Sequence, residues 1–155
     1  MRLLDLFCGA GGAAMGYHRA GFTEIVGVDI APQKRYPFAF VLGDALDYIR
    51  EHGPEFDVIH ASPPCQGYSL GTNYNHLVRG KKQYPRLIEP TRRMLWSLGQ
   101  PFVLENVQGA KASLGFTLTL CGTNFGLRVQ RHRLFESSHL IMLPSEPCNH
   151  RSYDI

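Results

Sequence analysis

Residues 2–12 read Arg-Leu-Leu-Asp-Leu-Phe-Cys-Gly-Ala-Gly-Gly, and this stretch decides the fold. A short apolar run over 2–8 meets a glycine cluster at Gly9, Gly11 and Gly12. Apolar runs of this length bounded by glycine suit a buried strand. A helix-like segment follows from about Gly12 to Ala20, and Gly21 is a natural stop. Residues 24–30, Glu-Ile-Val-Gly-Val-Asp-Ile, read as a second buried strand with Asp29 near its end. Strand, glycine turn, helix, strand and acid follow one another as in a nucleotide-binding βαβ unit.

Working outward, residues 38–42 suggest a third strand. Asp44 sits where a helix N-cap belongs, with Leu46 and Ile49 on one face of the helix and Gly53-Pro54 ending it. Residues 57–61 make a fourth strand, and a polar stretch without period runs from Ser62 to Tyr84. Pro90 fits the first turn of a helix that turns Met94, Leu95 and Leu98 inward. Residues 102–105, 116–121, and 133–135 with 140–143 supply further strands. Strands alternating with helices imply an α/β fold with a doubly wound, mostly parallel sheet, of the Rossmann-like kind. Residues 1–143 are expected to form its one domain, and 144–155 a polar tail or the start of a further region.

The chain has 155 residues and a net charge of +3, which permits nucleic-acid binding without indicating it. No apolar run approaches the roughly 20 residues of a membrane span, and the first residues do not resemble a signal peptide. The four cysteines, Cys8, Cys65, Cys121 and Cys148, form no CxxC pair and read as reduced thiols of a cytoplasmic protein. Cys148-x-His150 invites a zinc reading, but no second pair stands out, so the expectation is ordinary tail residues and no metal. Cys121 is expected to pack in the core.

In doubly wound sheets, ligands bind beyond the carboxyl ends of the strands. The unusual residues collect there: the glycine loop, Asp29, Asp44, Ser62 to Gln66, and Glu105 to Val107. Gly9-Ala10-Gly11-Gly12-Ala13-Ala14 fits the GxGxxG/A pattern, whose glycines permit a tight turn and close approach of backbone to ligand. Asp29 is placed to accept hydrogen bonds from ribose hydroxyls. The loop alone does not separate NAD from S-adenosylmethionine, and an N-cap role is sufficient for Asp44. In Ser62-Pro63-Pro64-Cys65-Gln66, two prolines fix the backbone before a cysteine at a strand's end. Such a platform suits a nucleophile, although a single cysteine is as readily a small core residue. Glu105 ends the next core strand. A thiol and a carboxylate in one crevice suit attack on an electron-poor ring whose nitrogen needs a proton.

Four segments carry a resemblance: Asp5 to Gly12, Pro63-Pro64-Cys65-Gln66, Glu105-Asn106-Val107, and Arg131-His132-Arg133. In kind, order and spacing they look like the signature motifs of cytosine-C5 DNA methyltransferases, and the Arg-His-Arg-Leu-Phe-Glu run looks like the small phage-type members. The resemblance implies S-adenosylmethionine as cofactor, held by Phe7, Gly9, Gly11, Asp29, Asp44 and Pro63. Phe7 would lie against the adenine, Asp29 would hold the ribose and Asp44 the adenine amino group. It implies DNA as partner. Cys65 would attack C6 of a flipped-out cytosine, with Glu105 at N3, Arg133 at the base or adduct, and Arg131 on nearby backbone. Arg133 would also stabilise the Cys65 thiolate. Arg79, Lys81, Lys82 and Arg86 would lie on target-strand phosphates.

The chain departs from the family pattern after Arg133, where no target-recognition region and no late cofactor motif is recognisable. The chain then reads as a fragment, as one part of a split enzyme with a separate specificity subunit, or as a minimal phage enzyme, and a monomer is expected. The alternatives are an RNA (tRNA) cytosine-C5 methyltransferase, a non-catalytic S-adenosylmethionine- or DNA-binding module or split-enzyme fragment, and an NAD-dependent enzyme. The last leaves Pro63-Pro64-Cys65-Gln66 without a role.

Overall fold

A computed structural model describes residues 1–68, 84–140, 144 and 146–150. Seven strands form one sheet: β1 (Arg2–Leu6), β2 (Glu24–Asp29), β3 (Ala39–Leu42), β4 (Val58–Ala61), β5 (Phe102–Asn106), β6 (Leu118–Cys121) and β7 (His132–Ser137). Their order across the sheet is β3-β2-β1-β4-β5-β7-β6. The first five run parallel, and β7 is antiparallel to both its neighbours, β5 and β6. Helices α1 (Gly12–Arg19), α2 (Ala45–His52) and α3 (Ile88–Leu98) complete the layers.

Alternation along the central strands sets which helix covers which face. On β1, Leu4 and Leu6 join Ile59, Ile49 and Leu95 in a core against α2 and α3. Leu3 points the other way and packs with Ala14, Phe22 and Ile25 beneath α1. Helices on both faces make the sheet doubly wound, as the strand–helix alternation predicts. Its strand order changes direction between β1 and β4, where each starts a run toward an opposite edge.

Two differences from the expected elements concern the C-terminal third. Residues 132–137 form one strand, and Leu140 lies outside any strand and is exposed; residues 141–143 fall outside the described set. Residues 146–150 do not extend freely. Asn124 Nδ2 donates to Glu146 O at 3.0 Å and Asn149 N to Thr123 Oγ1 at 3.3 Å, which holds this segment against the short turn Gly122–Phe125 after β6.

β7 is anchored by a buried charge. Glu136, 2 % exposed, accepts from Arg92 Nε at 2.7 and 2.9 Å, from Trp96 Nε1 at 3.1 Å and from Gly115 N at 2.7 Å. These donors come from α3 and from the segment before β6, so one carboxylate fastens three pieces of chain. A buried carboxylate is tolerated at this level of hydrogen bonding, and stripping it leaves Arg92 without its partner. Glu136→Ala is expected to lower unfolding free energy by about 3 kcal/mol, read from urea midpoints at constant m.

Two buried titratable groups sit side by side in the centre of the sheet. Asp5 and His60 are register partners on β1 and β4. Burial pushes the Asp5 carboxyl up to about 7, against the effect of its Tyr36 hydrogen bond. Burial pushes the His60 imidazole down from 6.5 to about 4. Between about pH 4 and 6.5 the folded chain holds a proton on Asp5 that the unfolded chain releases, so this group loses stability as pH rises. His60 has the opposite sign there: the unfolded chain binds the proton, so stability rises with pH. The two slopes oppose one another. Urea midpoints of Asp5→Asn are expected to climb across this window, and those of His60→Gln to fall; parallel profiles for the two variants would contradict the assignment.

Candidate active site

A cavity of ≈ 290 Å³ opens at the carboxyl ends of the parallel strands. Phe7 enters it after β1, Asp29 and Ile30 at the end of β2, and residues 62–66 after β4. Glu105, Asn106 and Val107 enter from the end of β5, and Arg133 from β7. The parallel register places the first four segments at one level of the sheet. The antiparallel turn-back of β7 brings Arg133 to the same level from the opposite chain direction.

The Pro63-Pro64-Cys65 platform is fixed from two sides. Asn106 is buried, and its Nδ2 donates to Pro63 O at 2.8 Å while its Oδ1 accepts from Val107 N at 2.9 Å. Ser62 Oγ lies 2.9 Å from His60 Nε2, and His60 Nδ1 lies 3.2 Å from Tyr17 OH. Beyond the thiol, Cys65 O accepts from Tyr68 N at 2.9 Å and turns the chain. Cys65 itself is half-buried in the cavity wall. Arg133 Nε meets Glu105 Oε1 at 2.7 Å, an ion pair in which each side chain is about one-fifth exposed (23 % and 22 %). Partial burial and short contact make such a pair directional and fix the aim of the carboxylate. Arg133 NH1 also donates to His132 O at 2.9 Å. The described partners of Arg133 are thus Glu105 and backbone.

The glycine loop behaves as its sequence implies, with one addition. Phe7 (φ 56), Gly9 (φ 49) and Gly11 (φ 86) all take left-handed backbone, and a non-glycine residue in that region marks a functional turn. Gly9 N donates to Asp29 Oδ2 at 3.0 Å, and Ala31 N to Asp29 Oδ1 at 2.9 Å. A Cβ on Gly11 would stand 2.7 Å from Pro37 Cδ, so this glycine serves the packing of the loop.

Of the residues singled out in the sequence, Phe7, Asp29, Pro63, Cys65, Glu105 and Arg133 line the cavity together. Gly9 stands behind Asp29, and Gly11 behind the loop. Asp44 is exposed, lies outside the lining, and accepts from Leu46 N at 2.7 Å and Asp47 N at 3.1 Å, an N-cap for α2. Arg131 is exposed and likewise outside the lining. Arg86 lies over the Tyr68 ring at 5.2 Å, whereas Arg79, Lys81 and Lys82 fall outside the described residues. His60 and Asn106 were not predicted as supports. A lone polar residue inside the apolar strand Val58-Ile59-His60-Ala61 was the available signal for the first. The Asn106 contact depends on how β4 and β5 end side by side.

Comparison with known proteins agrees with this geometry. The profile of the family "C-5 cytosine-specific DNA methylase" matches residues 1–115. The Type II methyltransferase M1.HphI of Haemophilus parahaemolyticus is 31 % identical over 126 residues, spanning 67 % of this chain and 32 % of that protein. The chain therefore covers about a third of the length of this relative. Among solved structures, a protein described as a DNA modification methyltransferase encoded within a prophage (E. coli) superposes with a TM-score of 0.62 at 22 % identity, over 87 % of this chain and 45 % of that one. An RNA methyltransferase from Salinibacter ruber in complex with S-adenosyl-L-homocysteine gives 0.50 at 17 % identity, over 94 % and 82 %. At these identities the superpositions show the Rossmann-like methyltransferase fold. The family profile covers the glycine loop, the Pro-Pro-Cys-Gln platform and Glu105, the same segments that converge on the cavity, and the chain is a member of the C-5 cytosine-specific DNA methylase family.

Proposed function

We propose that this chain transfers a methyl group from S-adenosylmethionine to C5 of cytosine in DNA. The observation that carries the reading is the convergence of Cys65, Glu105 and Arg133 with Phe7 and Asp29 on one cavity. The lining fits the cofactor. Each Asp29 oxygen accepts one amide, and a carboxylate has about four acceptor sites, which leaves two for ribose hydroxyls. Ile30, 76 % exposed, and Phe7 offer apolar surface that a flat adenine ring would cover. Phe7, Asp29 and Pro63 would hold the cofactor, with Gly9 and Gly11 shaping the loop behind them. When bound, S-adenosylmethionine supplies an electrophilic methyl group.

The target ring must leave the helical stack, since C6 of a stacked cytosine is out of reach of a side chain. The Cys65 thiolate then forms a bond to C6. Glu105, aimed by Arg133, must enter this step protonated: as the acid it donates a hydrogen bond to N3 and delivers its proton there, so that charge does not build up on the ring, and it recovers that proton when Cys65 is expelled. The electron pair this attack places at C5 would take the methyl group, with the S–CH3 bond breaking and S-adenosylhomocysteine as the leaving group. Removal of the C5 proton by a base restores the double bond and expels Cys65. Arg131 contacts the backbone beside the site. Within the same reading, Asp44 can turn its carboxylate toward the adenine amino group from the α2 N-terminus. Residues 1–143 act as the catalytic unit, as a monomer, and the reading leaves room for a separate specificity subunit. Among the described residues no helix is long and apolar enough to cross a membrane, and the reading places the chain in the cytoplasm.

Transfer of radiolabelled methyl from S-adenosylmethionine to unmethylated duplex DNA tests the proposal, with tRNA as a parallel substrate. Label is expected in DNA, on cytosine C5 after digestion, and is expected to vanish with Cys65→Ser. Glu105→Gln should lower turnover by about 10²–10⁴-fold. Label in tRNA alone would transfer the reading to RNA, and cofactor binding without transfer to either would leave a fragment, a split enzyme lacking its partner, or a binding module. Asn106→Ala should lower kcat by about 10–100-fold through a displaced Cys65 platform, with cofactor Kd near the parent value. Equal losses in both quantities would contradict a positioning role.

A further inference from the structure

On the far side of His132 from the catalytic cavity, four side chains from three parts of the chain converge. They are Cys121 at the end of β6, His132 at the start of β7, and Cys148 and His150 from the C-terminal segment. Their two sulfur and two ring-nitrogen atoms all lie within 4.8 Å of one another. Cys121 and His132 are register partners across the antiparallel β6–β7 pair, so the sheet itself sets the first two donors side by side. The remaining two are brought in by the segment that Asn124 and Thr123 hold, and Gln130 Nε2 adds a further tie to His150 O at 3.2 Å.

The distances are those of a coordination shell. Cys121 Sγ lies 3.5 Å from His150 Nε2, and Cys148 Sγ lies 3.4 Å from His132 Nε2 and 3.0 Å from His150 Nε2. A tetrahedral zinc ion with sulfur at about 2.3 Å and nitrogen at about 2.0–2.1 Å sets neighbouring S and N donors about 3.6 Å apart. Direct hydrogen bonding does not account for the cluster. His150 Nε2 faces both sulfurs, yet one ring nitrogen carries either one proton or one lone pair and serves one partner well. A central cation satisfies all four donors at once.

We propose that Cys121, His132, Cys148 and His150 form a structural Zn²⁺ site that clasps the C-terminal segment to the β6–β7 pair. Two thiolates and two imidazoles select zinc over magnesium or calcium, which take oxygen ligands. Four protein donors close the shell, as in structural rather than catalytic zinc sites. The surroundings match what thiolate ligands require. The Asn124 backbone N–H donates to Cys121 Sγ within the short helical turn, and Thr123 Oγ1 lies 3.4 Å from Cys148 Sγ as donor. On this proposal Cys148 and His150 are ligands, where the sequence suggests ordinary tail residues. The second donor pair lay in Cys121 and His132, which are not close in sequence and become neighbours only through strand register. His132 is followed directly by Arg133, whose Nε holds Glu105, so the ion would also steady the strand end that reaches into the cavity. It takes no part in the chemistry.

The test uses the full chain purified without chelator. Elemental analysis should find about one zinc per chain. Cobalt(II) added to the apo form should give the visible bands of tetrahedral thiolate coordination. Alkylation mapped by mass spectrometry should spare Cys121 and Cys148 while Cys65 reacts, until a chelator exposes both. Chelation should lower the thermal midpoint by at least about 5 °C. Cys148→Ser and His150→Ala should lose most of the zinc, and Cys65→Ser should keep it. Absence of zinc together with absence of the cobalt bands in the parent chain would overturn the site. So would a Cys121–Cys148 disulfide in the freshly purified protein, or full zinc in Cys148→Ser. The parent-chain measurements stand even if a variant fails to fold, and none of them depends on methyl transfer.

Discussion

The grip of Arg92, Trp96 and Gly115 on the buried Glu136 carboxylate is the interaction on which the catalytic half of the molecule depends. The five parallel strands are held by apolar packing on both faces and would make a sheet without it. The antiparallel strand β7 has no covering helix segment following it among the described residues. Its place between β5 and β6 rests on backbone pairing, on the buried Leu134, on the Arg133–Glu105 pair and on this buried clasp. Arg133 lies three residues upstream on the same strand, so the clasp sets where the guanidinium meets Glu105. A buried charge with three donors tolerates little displacement, because any donor that drifts leaves an unpaired polar group in low dielectric. The strand is therefore held more sharply in register than hydrophobic contact alone would hold it.

The same logic runs through the supports of Cys65. A proline pair restricts its own backbone, but it does not choose the direction in which the following residue projects. Asn106 chooses it, by donating to Pro63 O from the neighbouring strand end. Ser62, backed by His60 and Tyr17, holds the other side of the turn. His60 stays neutral because burial disfavours its charged form, which lets the imidazole serve as a fixed hydrogen-bonding spacer. The reactive thiol thus stands on a short loop that has been given the precision of the sheet beneath it.

Much of this was legible in the sequence. The glycine loop, Asp29, the prolines before Cys65 and Glu105 are each local signals, written within a few consecutive residues, and the structure brings their side chains to one place. Elements β1 to β5 were readable for the same reason, since each is an apolar run bounded by glycine, proline or an acid. What was hidden depends on register. The pairing of Cys121 with His132, the aim of Asn106 and the clasp on Glu136 each join residues that are distant along the chain, and no spacing rule in the sequence anticipates them. Of the strand expected over 140–143, only Leu140 lies among the described residues, and it is exposed and outside any strand. Asp44 shows the reverse case, a residue with two sufficient readings, of which the structure displays the capping one.

The strand order carries a consequence for the order of synthesis. β6 is made before β7 but lies outside it in the sheet, at the edge. While the chain emerges from the ribosome, β6 has no strand beside which to settle, and β5 remains an open edge. Phe7, Asp29, Cys65 and Glu105 have by then all been synthesised. Only when β7 emerges can it slide between its two neighbours and join them in one step. The thiol and the carboxylate thus precede, in the order of synthesis, the guanidinium that orients the carboxylate.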